Sequence, residues 1–204
     1  MYVKNHYPNL LSKEELETIL NIRPLMSTDR FIALCDEQFN WDNDSWTLNP
    51  NTFPPSTIRY LIDNYVCYIR DASRLTKKLN AVARELESIY NCQADAHIYI
   101  CKNTKLKHPF GAHFDKSSNL IVQCAGNTQF KVWSEVEDPS IPNTGLTMES
   151  QPIIDIVLDP GDSIMIPAYF PHEAISHTPR FSVSFPMTKS REFDFTQDRK
   201  WISI

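Results

Sequence analysis

The chain has 204 residues, 42% of them apolar and 22% charged, and a net charge of −5. That length suits one domain with a full hydrophobic core. Lys and Arg are scattered on an acidic whole, which argues against an electrostatic footprint for nucleic acid. No stretch reaches the roughly 18–20 unbroken apolar residues of a membrane span, and MYVKNHYPNLLSKEEL lacks the apolar core and cleavage site of a secretory signal. A cytoplasmic location without membrane or nucleic-acid partners is the expectation. Cys35, Cys67, Cys92, Cys101 and Cys124 are odd in number and show no CxxC spacing, so they read as reduced core residues rather than a disulfide framework or zinc site. Only 4 glycines are present, and neither GxGxxG nor GxxxxGK[ST] occurs, which excludes the phosphate-cradling loops.

In chain order, Ser12 with Glu15 forms a capping box ahead of Leu16, Ile19 and Leu20. Pro54-Pro55 opens a short helix through Ile58 and Leu61. Tyr65 to Arg70, rich in β-branched and aromatic residues, reads as a strand. From Ser73 to Tyr90, Leu75, Leu79, Val82, Leu86 and Ile89 recur at alternating four- and three-residue steps, the stripe of an amphipathic helix. Beyond Ala94 the period changes. Strands are expected at 97–101, 119–124, 128–133, 153–158, 163–167 and 180–185, with turns at 125–127 and 159–162. The pattern predicts a mainly β fold with N-terminal α-helices, a helical layer on a barrel. Residues 1–204 form a single domain in this reading: a mostly helical layer over 1–91 with one barrel strand near 65–70, a β core over 92–188, and a tail over 189–204.

Two histidines stand out by context. In Gly111-Ala-His113-Phe-Asp115, residues i and i+2 of an extended chain point to one face, so His113 and Asp115 can reach one metal ion. In GDSIMIPAYFPH a turn launches an apolar strand, and a proline-braced loop then presents His172. Two histidines and one carboxylate are the facial triad of non-haem iron(II) oxygenases, with three positions open for a bidentate co-substrate and O2. His177 is the competing ligand, but the FPHEA context favours His172. His97 reads as a hydrogen-bonded core histidine, and His6 and His108 have no supporting context.

AHIYICKNTK, GAHFDKSSNLIVQCAGNTQFKVW, LDPGDSIMIPAYFPHEA and RFSVSF resemble the JmjC and cupin-like 2-oxoglutarate oxygenases, above all the ribosomal oxygenase branch. YIRDASRLTKKLNAVARELE resembles the strand and helix ahead of the barrel there. The resemblance implies a double-stranded β-helix (jelly-roll, cupin-like) barrel, Fe(II), and hydroxylation coupled to decarboxylation of 2-oxoglutarate to succinate. It also implies His113, Asp115 and His172 as ligands. Two residues after the glycine of the strand-four turn, members usually carry Lys or Arg for the distal carboxylate of 2-oxoglutarate. Gly126 marks that turn here, and the position holds Thr128.

A buried dianion needs a cation. Arg180 is the substitute: with Ser182 and Ser184 it shares one strand face, predicted to look into the barrel. Lys131 falls on the face opposite Thr128. Asn119, Tyr99 and Tyr68 match positions flanking the co-substrate in that branch. The substrate is expected to be a peptide, a protein side chain or a small amino-acid-like molecule. The ribosomal oxygenases' C-terminal winged-helix extension has no match here, which argues against ribosomal protein as substrate. A metal-binding cupin with other chemistry and a non-catalytic cupin module are the competing readings.

Overall fold

Ser12 caps the first helix, Lys13–Leu20, as its spacing predicts: its hydroxyl accepts from Glu15 N at 3.1 Å while the Glu15 carboxylate takes the Ser12 N–H at 2.8 Å. The structure, a computed structural model, describes residues 1–22, 31–34, 55–104 and 110–189. Cys35, Pro54, His108 and the tail from 190 onward lie outside these residues. A second helix runs Pro55–Asn64 and buries Ile58 and Ile62. The expected 73–90 helix divides. A 3-10 turn occupies Ala72–Arg74, and the helix itself is Lys77–Tyr90, because Thr76 Oγ1 accepts from Leu79 N at 3.1 Å and caps it there. Leu79, Val82, Ala83 and Leu86 are its buried face, whereas Ile89 is 63% exposed, past the end of the packed stripe.

Eleven strands are described: β1 Tyr2–Val3, β2 Phe31–Leu34, β3 Val66–Ile69, β4 Cys92–Ala94, β5 His97–Cys101, β6 Ser118–Ala125, β7 Thr128–Val132, β8 Ile154–Leu158, β9 Ser163–Ile166, β10 His172–Ser176 and β11 Arg180–Lys189. All their pairings are antiparallel. One sheet has the order β1-β9-β6-β11-β5-β3-β2, with β4 on β11, and the other is β10-β7-β8. An isolated bridge between His113 and His172 adds the 112–113 segment beside β10. The two sheets form the double-stranded β-helix.

β1, β2, β4 and β10 are strands that the sequence pattern does not announce. Segments of two to four residues are too short to establish alternation, and His172-Glu-Ala-Ile-Ser176 is poor in strand formers; its partner β7 makes it a strand. His172 therefore starts a strand rather than ending a loop.

Alternation sorts the large sheet into two faces. Ile98 and Ile100 of β5, Leu120 and Val122 of β6, and Phe181, Val183 and Phe185 of β11 pack outward with Leu16, Ile19, Ile58, Ile62, Leu79 and Leu86 from the helices. The inner face of the same strands is polar: Asn119, Gln123, Arg180, Ser182 and Ser184 are all buried. Ile121, Phe130, Val132, Leu158, Ile164, Ile166 and Ala174 form a smaller apolar cluster with residues of both sheets. Each fully buried Leu, Ile or Phe is worth about 1.5–3 kcal/mol, so the outer layer supplies stability and leaves the lumen for chemistry. Among the described residues no helix is long and apolar enough to cross a membrane.

Candidate active site

His113 and His172 lie directly opposite one another and exchange backbone hydrogen bonds, His113 N to His172 O at 3.0 Å and His172 N to His113 O at 2.7 Å. Their rings lie 4.3 Å apart. Asp115, two residues on, reaches the same point: one ligand atom each from His113, Asp115 and His172 lies within 4.8 Å of the others. The loop ahead of His172 is tied to this segment by Tyr169 N to Asp115 O at 2.8 Å. Tyr169 has φ +65°, a left-handed conformation that an aromatic residue adopts at a cost of about 1–3 kcal/mol. Behind the triad, Asn143 O accepts from Phe114 N at 3.0 Å.

The hydrogen bonds fix the tautomers. Nδ1 of His113 lies 3.0 Å from Gly111 O, and Nδ1 of His172 lies 3.0 Å from Phe170 O. A carbonyl only accepts, so each Nδ1 carries the proton and each Nε2 keeps its lone pair. Asn119 orients the carboxylate: its Nδ2 donates to Asp115 Oδ2 at 2.6 Å, and its own carbonyl accepts from Ser184 Oγ at 3.3 Å. Burial, reinforced by His172, pushes the His113 pKa down to about 3. Burial raises that of Asp115 against the pull of His172, His97 and Asn119. A neutral imidazole is the ligand form, and a cation beside the carboxylate would offset the cost of burying it. The donor set suits a divalent transition metal, and two histidines with one carboxylate suit iron(II).

The triad opens into a cavity of about 510 Å3. Arg180, Ser182 and Ser184, which share one face of β11, line it together with Asn119 and Tyr99. Arg180 is 4% exposed and donates from Nε to Ser176 Oγ at 3.0 Å and from Nη1 to Ser182 Oγ at 2.8 Å. Among the described residues no carboxylate pairs with it. Thr128 is buried on the inner side of β7, where it directly pairs with Ser176, and Lys131 alternates away. The arginine thus comes within hydrogen-bonding distance of the residue opposite position 128. Gly126 permits this approach: at φ +67° it abuts residues 178–180, and a Cβ there would overlap the Pro179 carbonyl oxygen and come within 2.9 Å of Arg180 Cβ.

Neither Thr128 nor Tyr68 forms part of the cavity wall; Tyr68 stacks behind Tyr99 with ring centroids 5.3 Å apart. His177 is exposed and stands outside the triad. His97, at the end of β5 nearest the triad, is largely buried, and burial lowers its pKa. His6 Nδ1 lies 2.8 Å from Ser163 Oγ, away from the site. Phe110, Phe130, Asn143 and Thr144 also line the cavity and carry no sequence signal of their own.

The family model described as the JmjC domain matches residues 71–194, more than half of the chain. The chain belongs to the JmjC family. Its JmjC relatives include the Drosophila persimilis bifunctional lysine-specific demethylase and histidyl-hydroxylase NO66, 25% identical over 147 residues, 70% of this chain and 21% of that protein. The Drosophila grimshawi NO66 is 25% identical over 91% of this chain and 26% of its own length. The chain spans about a quarter of the length of these curated relatives. Among solved structures, the Escherichia coli ribosomal oxygenase YcfD, in complex with cobalt and 2-oxoglutarate, matches with a TM-score of 0.64 at 17% identity, over 98% of this chain and 53% of that one. This likeness establishes the JmjC barrel fold.

Proposed function

We propose that the chain is an Fe(II)- and 2-oxoglutarate-dependent oxygenase that hydroxylates a peptide or protein side chain. One observation carries the reading: a single cavity holds both a two-histidine, one-carboxylate set and a buried arginine with no carboxylate partner among the described residues. The first suits iron(II), and the second suits the far end of a dicarboxylate. Iron(II), when bound, would supply the redox chemistry between a 2-oxo acid, dioxygen and the substrate. His113 and His172 would hold the ion through the Nε2 atoms left unprotonated, and Asp115 through the carboxylate that Asn119 orients. Arg180 pairs with the distal carboxylate, and Ser182 and Tyr99 flank it. Ile121, Phe130 and Ala174 keep the wall apolar and limit water. One oxygen atom of dioxygen becomes the new hydroxyl and the other enters succinate as 2-oxoglutarate loses carbon dioxide. The names of the NO66 and YcfD relatives support a polypeptide substrate. Cys67, Cys92, Cys101 and Cys124 form no disulfide among the described residues, which suits the reducing cytoplasm.

The test is anaerobic addition of iron(II) and then 2-oxoglutarate. A weak visible charge-transfer band is expected, because it requires both on one iron. Iron binding without the band would replace this reading with a metal cupin of different chemistry.

A further inference from the structure

Two buried oxygens near the Arg180 end of the barrel have no hydrogen-bond partner among the described residues: Gln123 Oε1 and Thr128 Oγ1, both on residues at 0% exposure. Buried polar atoms are nearly always satisfied, and each exception calls for a partner. The Gln123 amide cannot turn to relieve the problem. Its Nε2 donates to Ala125 O at 2.8 Å and Gly126 O at 3.1 Å, which fixes Oε1 as the end directed away from the turn.

Strand register shows what lies beside these oxygens. Gln123 directly faces Ser182 across β6 and β11, and Thr128 directly faces Ser176 across β7 and β10. Residues directly opposite in an antiparallel pair share a face. Those two serines are the pair that Arg180 bonds, one from each sheet. Gln123 and Thr128 therefore stand next to the two serines that hold the guanidinium, and neither lines the cavity itself. Arg180 has five N–H donors, and its hydrogen bonds to the two serines use two, which leaves donors for a further acceptor. Gln123 Oε1 can only accept, a guanidinium can only donate, and no direct contact joins them. A water can join such groups, since it can donate to Gln123 Oε1, accept from Thr128 and Arg180, and keep a second proton for an anion.

We propose that Gln123 and Thr128 hold an ordered water beside Arg180 that hydrogen-bonds the distal carboxylate of the 2-oxo diacid, making both of them positioning residues for the co-substrate. The inference rests on the co-substrate reading above. Thr128→Val keeps the side-chain shape and removes the hydroxyl, and Thr128→Ser keeps the hydroxyl. The 2-oxoglutarate dissociation constant is measured by anaerobic calorimetry on iron(II)-loaded protein, beside metal affinity and thermal stability. Thr128→Val is expected to bind 2-oxoglutarate about three- to tenfold more weakly, the range for one neutral hydrogen bond. Its metal affinity should hold. Thr128→Ser should bind as wild type does. In turnover, KM for 2-oxoglutarate should rise in Thr128→Val while kcat holds. Wild-type affinity in Thr128→Val overturns the proposal, and so does an equal loss in Thr128→Ser. If Arg180→Ala weakens 2-oxoglutarate binding and Thr128→Val does not, only the water falls. If neither does, the co-substrate reading falls with it.

Discussion

At 4% exposure, Arg180 holds a positive charge with two serine hydroxyls as its only acceptors among the described residues. A buried ion without a counter-charge costs several kcal/mol, which a bound carboxylate recovers. Removing one partner of such a pair costs about 2–5 kcal/mol, or roughly thirtyfold to several thousandfold in affinity. Arg180→Ala should therefore lose 2-oxoglutarate by that factor in calorimetry and keep its metal. Arg180→Lys should recover part of it, because an ammonium cannot make the two-pronged contact. Thr128→Lys in the Arg180→Ala background tests whether a cation from β7 of the other sheet serves instead; partial recovery is expected. A similar contrast separates the histidines. His172→Ala should lose iron in equilibrium dialysis, and His177→Ala, altering an exposed side chain, should keep it. The reverse outcome would reassign the ligand.

β6, its turn and β11 show which parts of the fold the sequence announces and which it withholds. Arg180, Ser182 and Ser184 alternating with Phe181, Val183 and Phe185 already separate a polar inner face from an apolar outer one, and His113 with Asp115 is legible by the same two-residue period. The bridge from His113 to His172 is not legible, because it depends on register between distant segments. Nor are Asn143 and Thr144, which sit in an aperiodic connection and reach the cavity only through the folded chain. Gly126 lies between these cases: a turn glycine in the sequence, a spacing requirement in the structure. Gly126→Ala should cost at least about 1–2 kcal/mol for the left-handed backbone alone. Displacing residues 178–180 should also weaken 2-oxoglutarate binding. Wild-type thermal stability in that variant would contradict the close approach.

The second turn fixes the N-terminal segment. Burial alone would raise the Asp162 pKa, but bonds from Asn5 N and Tyr2 Oη, both at 2.8 Å, and from Asp159 N at 3.1 Å outweigh it and hold the carboxyl below its usual range. A depressed folded pKa contributes stability above the unfolded value of about 3.9 that is lost as pH falls through the folded value. Asp162→Asn should thus be destabilising at pH 7 and progressively less so as pH falls below the unfolded value and through the depressed folded one. An equal cost across that range would mean that the carboxylate charge contributes nothing.

At the scale of the whole molecule, the triad joins parts of the chain that nothing else near the cavity joins covalently. His113 and Asp115 precede β6, His172 opens β10, and some fifty residues of turns and strands lie between. A metal ion held by all three binds the folded chain and not the unfolded one, so it raises stability by mass action, by about 2.7 kcal/mol at a hundred times its dissociation constant. For a chain of this length each kcal/mol moves Tm by about 2–4 °C, which gives a rise of about 5–11 °C. Cobalt(II) or nickel(II) can replace iron(II) in this measurement, since it reads binding and needs no turnover. Asp115→Ala and His172→Ala should each abolish most of the rise, and His177→Ala should retain it. The outer layer should behave independently. Leu79→Ala, emptying a fully buried site under the large sheet, should lower Tm through a loss of about 2–5 kcal/mol and leave the metal-induced rise intact. Loss of the metal effect in Leu79→Ala would show that the helical layer also shapes the lumen, because the ligands would then depend on packing on the far side of the sheet.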